Sequence, residues 1–106
     1  MYILNTSFHV AEHRAAEFER WVRRQYIPAA EATGFLASPK FTRLLIEVEP
    51  STVSYAVHFQ CGSLDEAQRW HDNEAASLKD ALHRATGGEV LFFTTFMEEM
   101  DHSCDI

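Results

Sequence analysis

Residues 21–36 read WVRRQYIPAAEATGFL and show how the first helix of this chain ends. Pro28 has no backbone N–H and its ring collides with the preceding turn, so the helix is expected to kink or stop at residues 27–28. AAEA at 29–32 can add one more turn, and Gly34 suits the left-handed conformation that closes a helix. The stretch therefore predicts a helix that crosses a sheet and then reverses into a strand at the sheet's edge.

The helix that leads to Pro28 is amphipathic from residue 11 onward. Its polar side carries Arg20, Arg23 and Arg24, which we interpret as a solvent-exposed face. Its apolar stripe follows the helical period and contains Ala11, Ala15, Phe18, Trp21, Val22, Gln25 and Tyr26.

Four segments around this helix have the features of β-strands. Residues 2–10 and 53–61 alternate with a period of two, and the side chains divide into an apolar and a more polar face. KFTRLLIEV at 40–48 and EVLFFTTFMEEM at 89–100 are the other two predicted strands, and EPST at 49–52 is a tight turn. A second helix is predicted from the capping box SLDE at 63–66 to about Ala85, just before two glycines.

The order β-α-β-β-α-β predicts an α+β protein with a ferredoxin-like fold. Right-handed crossovers place the first and third strands in the centre of a four-stranded antiparallel sheet, with the fourth and second strands at its edges. Both helices are then expected on one face. We expect a single domain over residues 1–101 and a C-terminal tail at 102–106.

The composition limits the partners and the compartment. The 106 residues include 46% hydrophobic side chains and carry a formal net charge of −7, which disfavours a nucleic acid or an anionic membrane as partner. No apolar run approaches the ~18 residues of a membrane span. Cys61 and Cys104 do not suggest a disulfide framework, and MYILNTSFHV lacks the features of a signal peptide. We therefore expect a reduced, cytoplasmic protein.

One face of the predicted sheet is polar and is not covered by the helices. If the first and third strands are antiparallel neighbours, Asn5 and His58 lie close together on it. The face is interpreted as a polar interface of a homodimer, as a structural hydrogen-bond network, or as a pocket in which Asn5, His9 and His58 bind a ligand. Its predicted members are Asn5, Ser7, His9, Ser54, His58 and Gln60.

The second helix carries the candidate catalytic residues. His71 and Glu74 project onto its apolar stripe three positions apart, so they can touch and serve as a general acid–base pair. The alternative is a structural, partly exposed pair at the edge of the helix–sheet contact. No third ligand is spaced with them, so we predict no metal site, and no motif for another cofactor is present. Trp70 beside them is a candidate ligand contact or an anchor of the core.

Four stretches carry a resemblance to a known family: MYILNTSFHV, YIPAAEATGF, RLLIEVE and GGEVLFFTTFMEE. With these stretches the whole chain resembles an uncharacterised bacterial family of small ferredoxin-like proteins, a domain family of unknown function. Such chains are similar to the dimeric α/β-barrel superfamily, in which two sheets pack face to face. The resemblance implies the same fold and a homodimer, and it implies no particular activity.

Some enzymes of the superfamily bind their ligands between the helices and the sheet, and they include cofactor-free monooxygenases and haem-degrading oxygenases. The haem-degrading enzymes use an Asn on the first strand with a Trp and a His on the second helix. The matching residues here are Asn5, Trp70 and His83. Asn5, however, projects to the face away from the helices, and His83 falls on the polar side of its helix.

Three functions are therefore open. The leading hypothesis is a homodimer that binds a small molecule without catalysis. The alternatives are a small enzyme of the dimeric-barrel type, and a structural or interaction module whose sheet face serves only to dimerise. The space between helices and sheet distinguishes the two ligand-binding hypotheses from the structural one, because a core filled by Phe8, Trp21, Trp70 and Phe92 leaves no room for a ligand.

Overall fold

The computed structural model describes residues 1–46 and 49–102. Strand β1 leads through a short 3₁₀ turn into helix α1, a π-helical turn and helix α2. Strands β2 and β3 follow, then the long helix α3 and strand β4. The bounds are Tyr2–Ala11 (β1), Glu12–Arg14 (3₁₀), Ala15–Trp21 (α1), Val22–Tyr26 (π), Ile27–Glu31 (α2), Ala37–Arg43 (β2), Thr52–Cys61 (β3), Leu64–Thr86 (α3) and Val90–Glu98 (β4).

The four strands form one sheet in the order β2-β3-β1-β4, and every neighbouring pair is antiparallel. This confirms the predicted α+β, ferredoxin-like topology with the first and third strands in the centre. In the register of β1 and β3, Asn5 lies opposite His58 and Phe8 lies opposite Tyr55. Each helical crossover joins two parallel strands that have one antiparallel strand between them, β1 with β2 around β3 and β3 with β4 around β1.

The helices cover one face of the sheet, as the period-two pattern predicted. Even positions of β1 and odd positions of β3 are buried there. They pack against Phe18, Trp21 and Val22 of the first helical segment, which runs from the 3₁₀ turn to the end of α2 (residues 12–31). Cys61 closes this row of β3 as a buried thiol whose Sγ donates to the Ser63 carbonyl at 2.9 Å. The buried residues of β1 and β3 on this face are Leu4, Thr6, Phe8, Val10, Tyr55, Val57, Phe59 and Cys61.

The first helical segment departs from the prediction in its phase. The expected stripe contained both Gln25 and Tyr26, but only Tyr26 is buried and Gln25 is exposed. The reason is the π-helical turn at Val22–Tyr26, which inserts an extra residue and so rotates the positions that follow it. The helix also continues through Pro28, which sits at the start of α2, where its missing N–H costs least.

Strand β2 begins at Ala37, three residues before its predicted start, and ends at Arg43. Leu44, Leu45 and Ile46, which were predicted as strand interior, are exposed, because the edge of the sheet offers them nothing to pack on. Residues 47 and 48 of the predicted strand lie outside the described residues, as do Cys104 and the rest of the tail after residue 102.

Helix α3 begins and ends as its sequence predicted. The Ser63 hydroxyl accepts from the Glu66 N–H at 3.3 Å, which is one half of the capping box. Gly87 adopts the left-handed conformation with a φ of 63° and closes the helix. Within the described part of the chain, no helix is long and apolar enough to cross a membrane.

Candidate functional site

A cleft opens between the sheet and the helices, and we call it the helix–sheet cleft. Strand β1, α1, the π-helical turn, α3 and β4 each contribute side chains to it, because these five elements meet over the sheet. Its free volume is about 20 Å³, which is room for about one water molecule. The lining residues are Thr6, Phe8, Trp21, Tyr26, Trp70, His71, Leu78, Leu82, Phe92 and Thr94.

The walls of the cleft are mainly aromatic. The ring of Phe8 lies at its centre, 6.4 Å from the ring of Trp21, 5.9 Å from that of Tyr26 and 5.9 Å from that of Phe92. Tyr26 also contacts Trp70, with ring centroids 6.3 Å apart. The four rings expected to compete for this space, Phe8, Trp21, Trp70 and Phe92, all line it and leave it narrow.

A short chain of hydroxyl groups crosses the floor of the cleft. The Tyr26 hydroxyl lies 3.2 Å from Thr6 Oγ1, which lies 3.3 Å from Thr94 Oγ1. Burial raises the pKa of the Tyr26 phenol, and the hydrogen bond with Thr6 lowers it by a smaller amount. Tyr26 is therefore a neutral phenol at physiological pH. Sequence reasoning placed Tyr26 in the core but did not identify these three residues as a polar group.

Trp21 lines the cleft and carries a buried polar atom that lacks a partner. The side chain is only 4% exposed, and its indole Nε1 has no hydrogen-bond acceptor in the described part of the molecule. Buried N–H groups nearly always have an acceptor, so an unpaired donor at a cleft indicates a position where a bound group can supply one. Sequence reasoning missed this donor, because the indole's surroundings depend on tertiary packing.

His71 and Glu74 do not form the pair that their spacing suggested. His71 lies at the cleft, with its ring 5.7 Å from that of Phe96 and its Nδ1 3.5 Å from Asp72 Oδ1. Glu74 is exposed and lines a separate groove with Arg69 and other residues. The three-residue spacing places both on neighbouring helix positions, but α3 turns Glu74 outward from the sheet.

The other candidate ligand residues lie on the opposite side of the sheet, which we call the open face. Asn5 faces His58 across the β1–β3 pair, and Asn5 Nδ2 donates to Ser7 Oγ at 3.3 Å. His9 Nδ1 lies 2.8 Å from Ser54 Oγ. Asn5 and His58 are thus neighbours and His9 lies further along the same face, and the sheet separates all three from Trp70.

The open face also has an apolar side that the sequence analysis did not identify. Leu91, Phe93 and Met97 of β4 lie beside His9, Ser7 and Ile3 of β1, and they are 72%, 55% and 39% exposed. Their signal was present in the sequence, because every second residue of EVLFFTTFMEEM faces one side of the strand. An exposed apolar row on a sheet is a common mark of an interaction surface.

The residues that resemble a haem site are not assembled. Asn5 lies on the open face, Trp70 lines the helix–sheet cleft and His83 is exposed near the end of α3. Among the described residues, no group of three or more His, Cys, Asp or Glu side chains is placed to hold a metal ion.

Solved structures with the same fold include a protein similar to the antibiotic biosynthesis monooxygenases from Deinococcus radiodurans, at 15% identity and a TM-score of 0.63 over 100% of this chain and 99% of that one. A dimeric ferredoxin-like protein from an uncultured marine organism has 14% identity and a TM-score of 0.63, covering 96% and 98%. An ethyl tert-butyl ether d (EthD) family protein from Bacillus halodurans has 15% identity and a TM-score of 0.61, covering 94% and 100%. At these identities the likeness shows the fold.

No curated protein matches the chain. The model of one sequence family does match, over residues 1–100. The chain therefore belongs to this family, DUF4286, a domain of unknown function.

Proposed function

We propose that the protein is a homodimer that binds a small, largely apolar molecule in the helix–sheet cleft. The observation that carries the proposal is the unpaired indole N–H of Trp21 in a wall made of aromatic rings. Leaving a buried donor unpaired costs about 1–3 kcal/mol. A ligand that places an acceptor oxygen against Trp21 Nε1 removes this cost and buries its own apolar surface against the rings.

Helix α3 supports the entry of a ligand larger than the present free volume. Between Trp70 and Leu82, none of the side chains that the structure describes is fully buried, and His71 and Leu78 are the members of that stretch that line the cleft. A helix held by few buried side chains moves outward at a low cost in free energy. We infer that the middle of α3 moves away from the sheet when the cleft is filled.

The open face supports the homodimer. Leu91, Phe93 and Met97 are exposed beside a row of half-buried polar residues that includes His9 and His58. A second copy placed face to face would cover the apolar row and give the polar groups new partners. Two structures of the same fold are described as dimeric ferredoxin-like proteins, which favours this arrangement. We assign Asn5, His9 and His58 to this interface.

The binding part of the proposal is tested with 1-naphthol, a flat apolar probe with one oxygen. Titration followed by ¹⁵N–¹H NMR is expected to shift the indole resonance of Trp21, identified by its loss in Trp21→Phe. Leu78→Trp fills the cleft and should weaken binding by about tenfold or more. The matched control is Lys79→Trp, which adds the same ring at an exposed neighbouring position. An unshifted Trp21 resonance, or equal binding by the two variants, would refute the proposal.

Catalysis in the same cleft is the second candidate function, and the position of His71 at the cleft edge favours it. There the imidazole would act as a general acid–base on the bound molecule, as in the enzyme alternative, without help from Glu74. The monooxygenase-like relative is consistent with this role. The test is dioxygen uptake with 1-naphthol in wild type and His71→Ala. Uptake that is lost in a folded, naphthol-binding variant supports catalysis, and no uptake by wild type contradicts it for this substrate class.

A further inference from the structure

A second groove lies where the first helical segment crosses the edge of the sheet, and we call it the arginine groove. Helix α1, the π-helical turn, β2 and β3 form it, and it shares no lining residue with the helix–sheet cleft. Its volume is about 290 Å³, enough for a small metabolite. Its lining residues are Glu19, Arg23, Phe41, Thr42, Arg43 and Tyr55.

Two guanidinium groups reach this groove from different elements. Arg23 comes from the π-helical turn, and its guanidinium carbon lies 5.6 Å from the centre of the Phe41 ring, a cation–π contact that orients it. Arg43 ends β2. Within residues 1–46 and 49–102, Arg43 forms no ion pair with a carboxylate. One positive charge of the groove is therefore unpaired there, in a chain whose net charge is −7.

The single carboxylate of the lining is already held by other groups. Glu19 Oε2 accepts from the Tyr55 hydroxyl at 2.7 Å, and Glu19 Oε1 lies 3.6 Å from Arg23 Nη2. The distance to Arg23 is long for a strong ion pair, and both ends of that contact reach solvent. Burial first, and the hydrogen bond to Glu19 second, raise the pKa of Tyr55, so the phenol stays neutral and keeps donating to Glu19. The lining thus carries two positive charges and one negative charge.

We propose that the arginine groove binds the oxyanion of a small metabolite, a phosphate or a carboxylate, between Arg23 and Arg43. A guanidinium presents parallel N–H donors that match the oxygens of either group, and two such forks from different elements define a position between them. Thr42 lines the same groove, but its hydroxyl already donates to the Ala56 carbonyl at 3.3 Å, so the two guanidinium groups supply the donors for the anion. The π-helical turn places Arg23 here, and such turns are frequent at functional sites.

Removing the charge of Glu19 should strengthen anion binding, whereas removing the charge of either groove arginine should weaken it. Its negative charge lies at the edge of the groove and opposes an incoming anion. Glu19→Gln keeps an acceptor for the Tyr55 hydroxyl and removes the charge, so it should tighten anion binding by about threefold or more. An effect in the other direction would mean that Glu19 itself contacts the ligand, and it would overturn the assignment of an anion to this groove.

The binding experiment is calorimetric titration of the full chain with inorganic phosphate and, separately, with benzoate at constant ionic strength. Arg23→Gln and Arg43→Gln should each weaken binding by about tenfold, because each removes one charge-assisted contact. The control is Arg24→Gln, which removes an equal charge from the same π-helical turn at an exposed position outside the groove. Arg23, Arg43 and Arg24 are all exposed, so the variants should melt as wild type does.

The two probes separate the possible ligands. Saturable binding of phosphate alone assigns a phosphorylated metabolite, and binding of benzoate alone assigns a carboxylic acid. Absence of saturable binding for both, or an equal loss in Arg24→Gln and Arg43→Gln, would show that the groove has no oxyanion site.

Discussion

At the scale of single residues, Tyr26 connects the packing of the core to the polar floor of the helix–sheet cleft. Its ring lies 5.3 Å from that of Trp21 and 5.9 Å from that of Phe59, and its hydroxyl contacts Thr6. The sequence predicted a buried Tyr26 correctly from its apolar neighbours. It could not predict the hydroxyl chain to Thr6 and Thr94, because those residues come from strands whose register is fixed only in the folded sheet.

Tyr26→Phe keeps the ring and removes the hydroxyl. We expect a loss of about 0.5–1.5 kcal/mol in the free energy of unfolding, since one buried hydrogen bond is lost while Thr6 keeps its contact with Thr94. Urea denaturation of wild type and variant measures the difference. A change below the error of the measurement would show that the Thr6–Tyr26 contact does not stabilise the fold.

Alkaline pH should also destabilise the protein through this residue. Burial raises the pKa of Tyr26 in the folded state above its ordinary value of 10.0. The stabilisation is therefore complete below pH 10 and is lost as the pH rises above it, because the unfolded chain releases the proton first. Melting temperatures measured from pH 8 to 11 should fall above pH 10.

The control for the pH series is Tyr26→Phe, whose melting temperature should fall less steeply over the same range. Some decrease remains in that variant, because the pKa of Tyr55 is raised in the same direction by burial and by Glu19. If the melting temperatures of wild type and variant fall equally steeply with pH, Tyr26 does not cause the loss of stability at alkaline pH.

At the scale of secondary-structure elements, β1, β3, β4 and the ends of α3 were predictable, whereas the bounds of β2 and the interior of the first helix were not. Alternation in β1 and β3 assigned each side chain to the correct face, because one buried face leaves a single register. The π-helical turn at Val22–Tyr26 was not predictable, because a stripe drawn with the α-helical period assumes regular hydrogen bonding throughout. The α-helical period therefore predicted that Gln25 is buried, whereas the structure shows that it is exposed.

The C-terminus of α3 depends on Gly87. A Cβ added there would lie 2.9 Å from Arg14 Nη2, and the φ of +63° strains any L side chain. Gly87→Ala should therefore cost about 1–2 kcal/mol in the free energy of unfolding. Gly62→Ala is the matched control, because an added Cβ meets nothing within 4 Å there. Denaturation curves compare the two, and an equal effect would contradict the role assigned to the left-handed cap.

At the scale of the whole molecule, the sequence predicted the topology and a polar, uncovered sheet face, while the family resemblance implied a dimer. The apolar row of β4 on that face was missed, because the analysis followed the polar residues of β1 and β3. The sequence predicted the space between helices and sheet and four of the rings that line it, but it could not predict the size of that cleft or the existence of the arginine groove. The two sites are formed by side chains from five and four elements, and the spacing of these side chains depends on how the helices pack on the sheet.

The proposed dimer makes Phe93 the residue to change. Phe93→Glu places a charge in the centre of the exposed row on β4 and should weaken dimerisation by about 100-fold or more, with the fold of the protomer retained. Met100→Glu is the control, because it introduces the same charge at an exposed position beyond β4. Sedimentation velocity measures the oligomeric state, and an intact dimer in Phe93→Glu would exclude the open face as the interface.

Native mass spectrometry of the freshly purified protein, with no ligand added, tests the homodimer and the bound molecule together. It reports in one spectrum whether two chains associate and whether they retain a small molecule. The account predicts the mass of two chains together with additional mass that is released on denaturation. A single chain at micromolar concentration, with no additional mass, would contradict it.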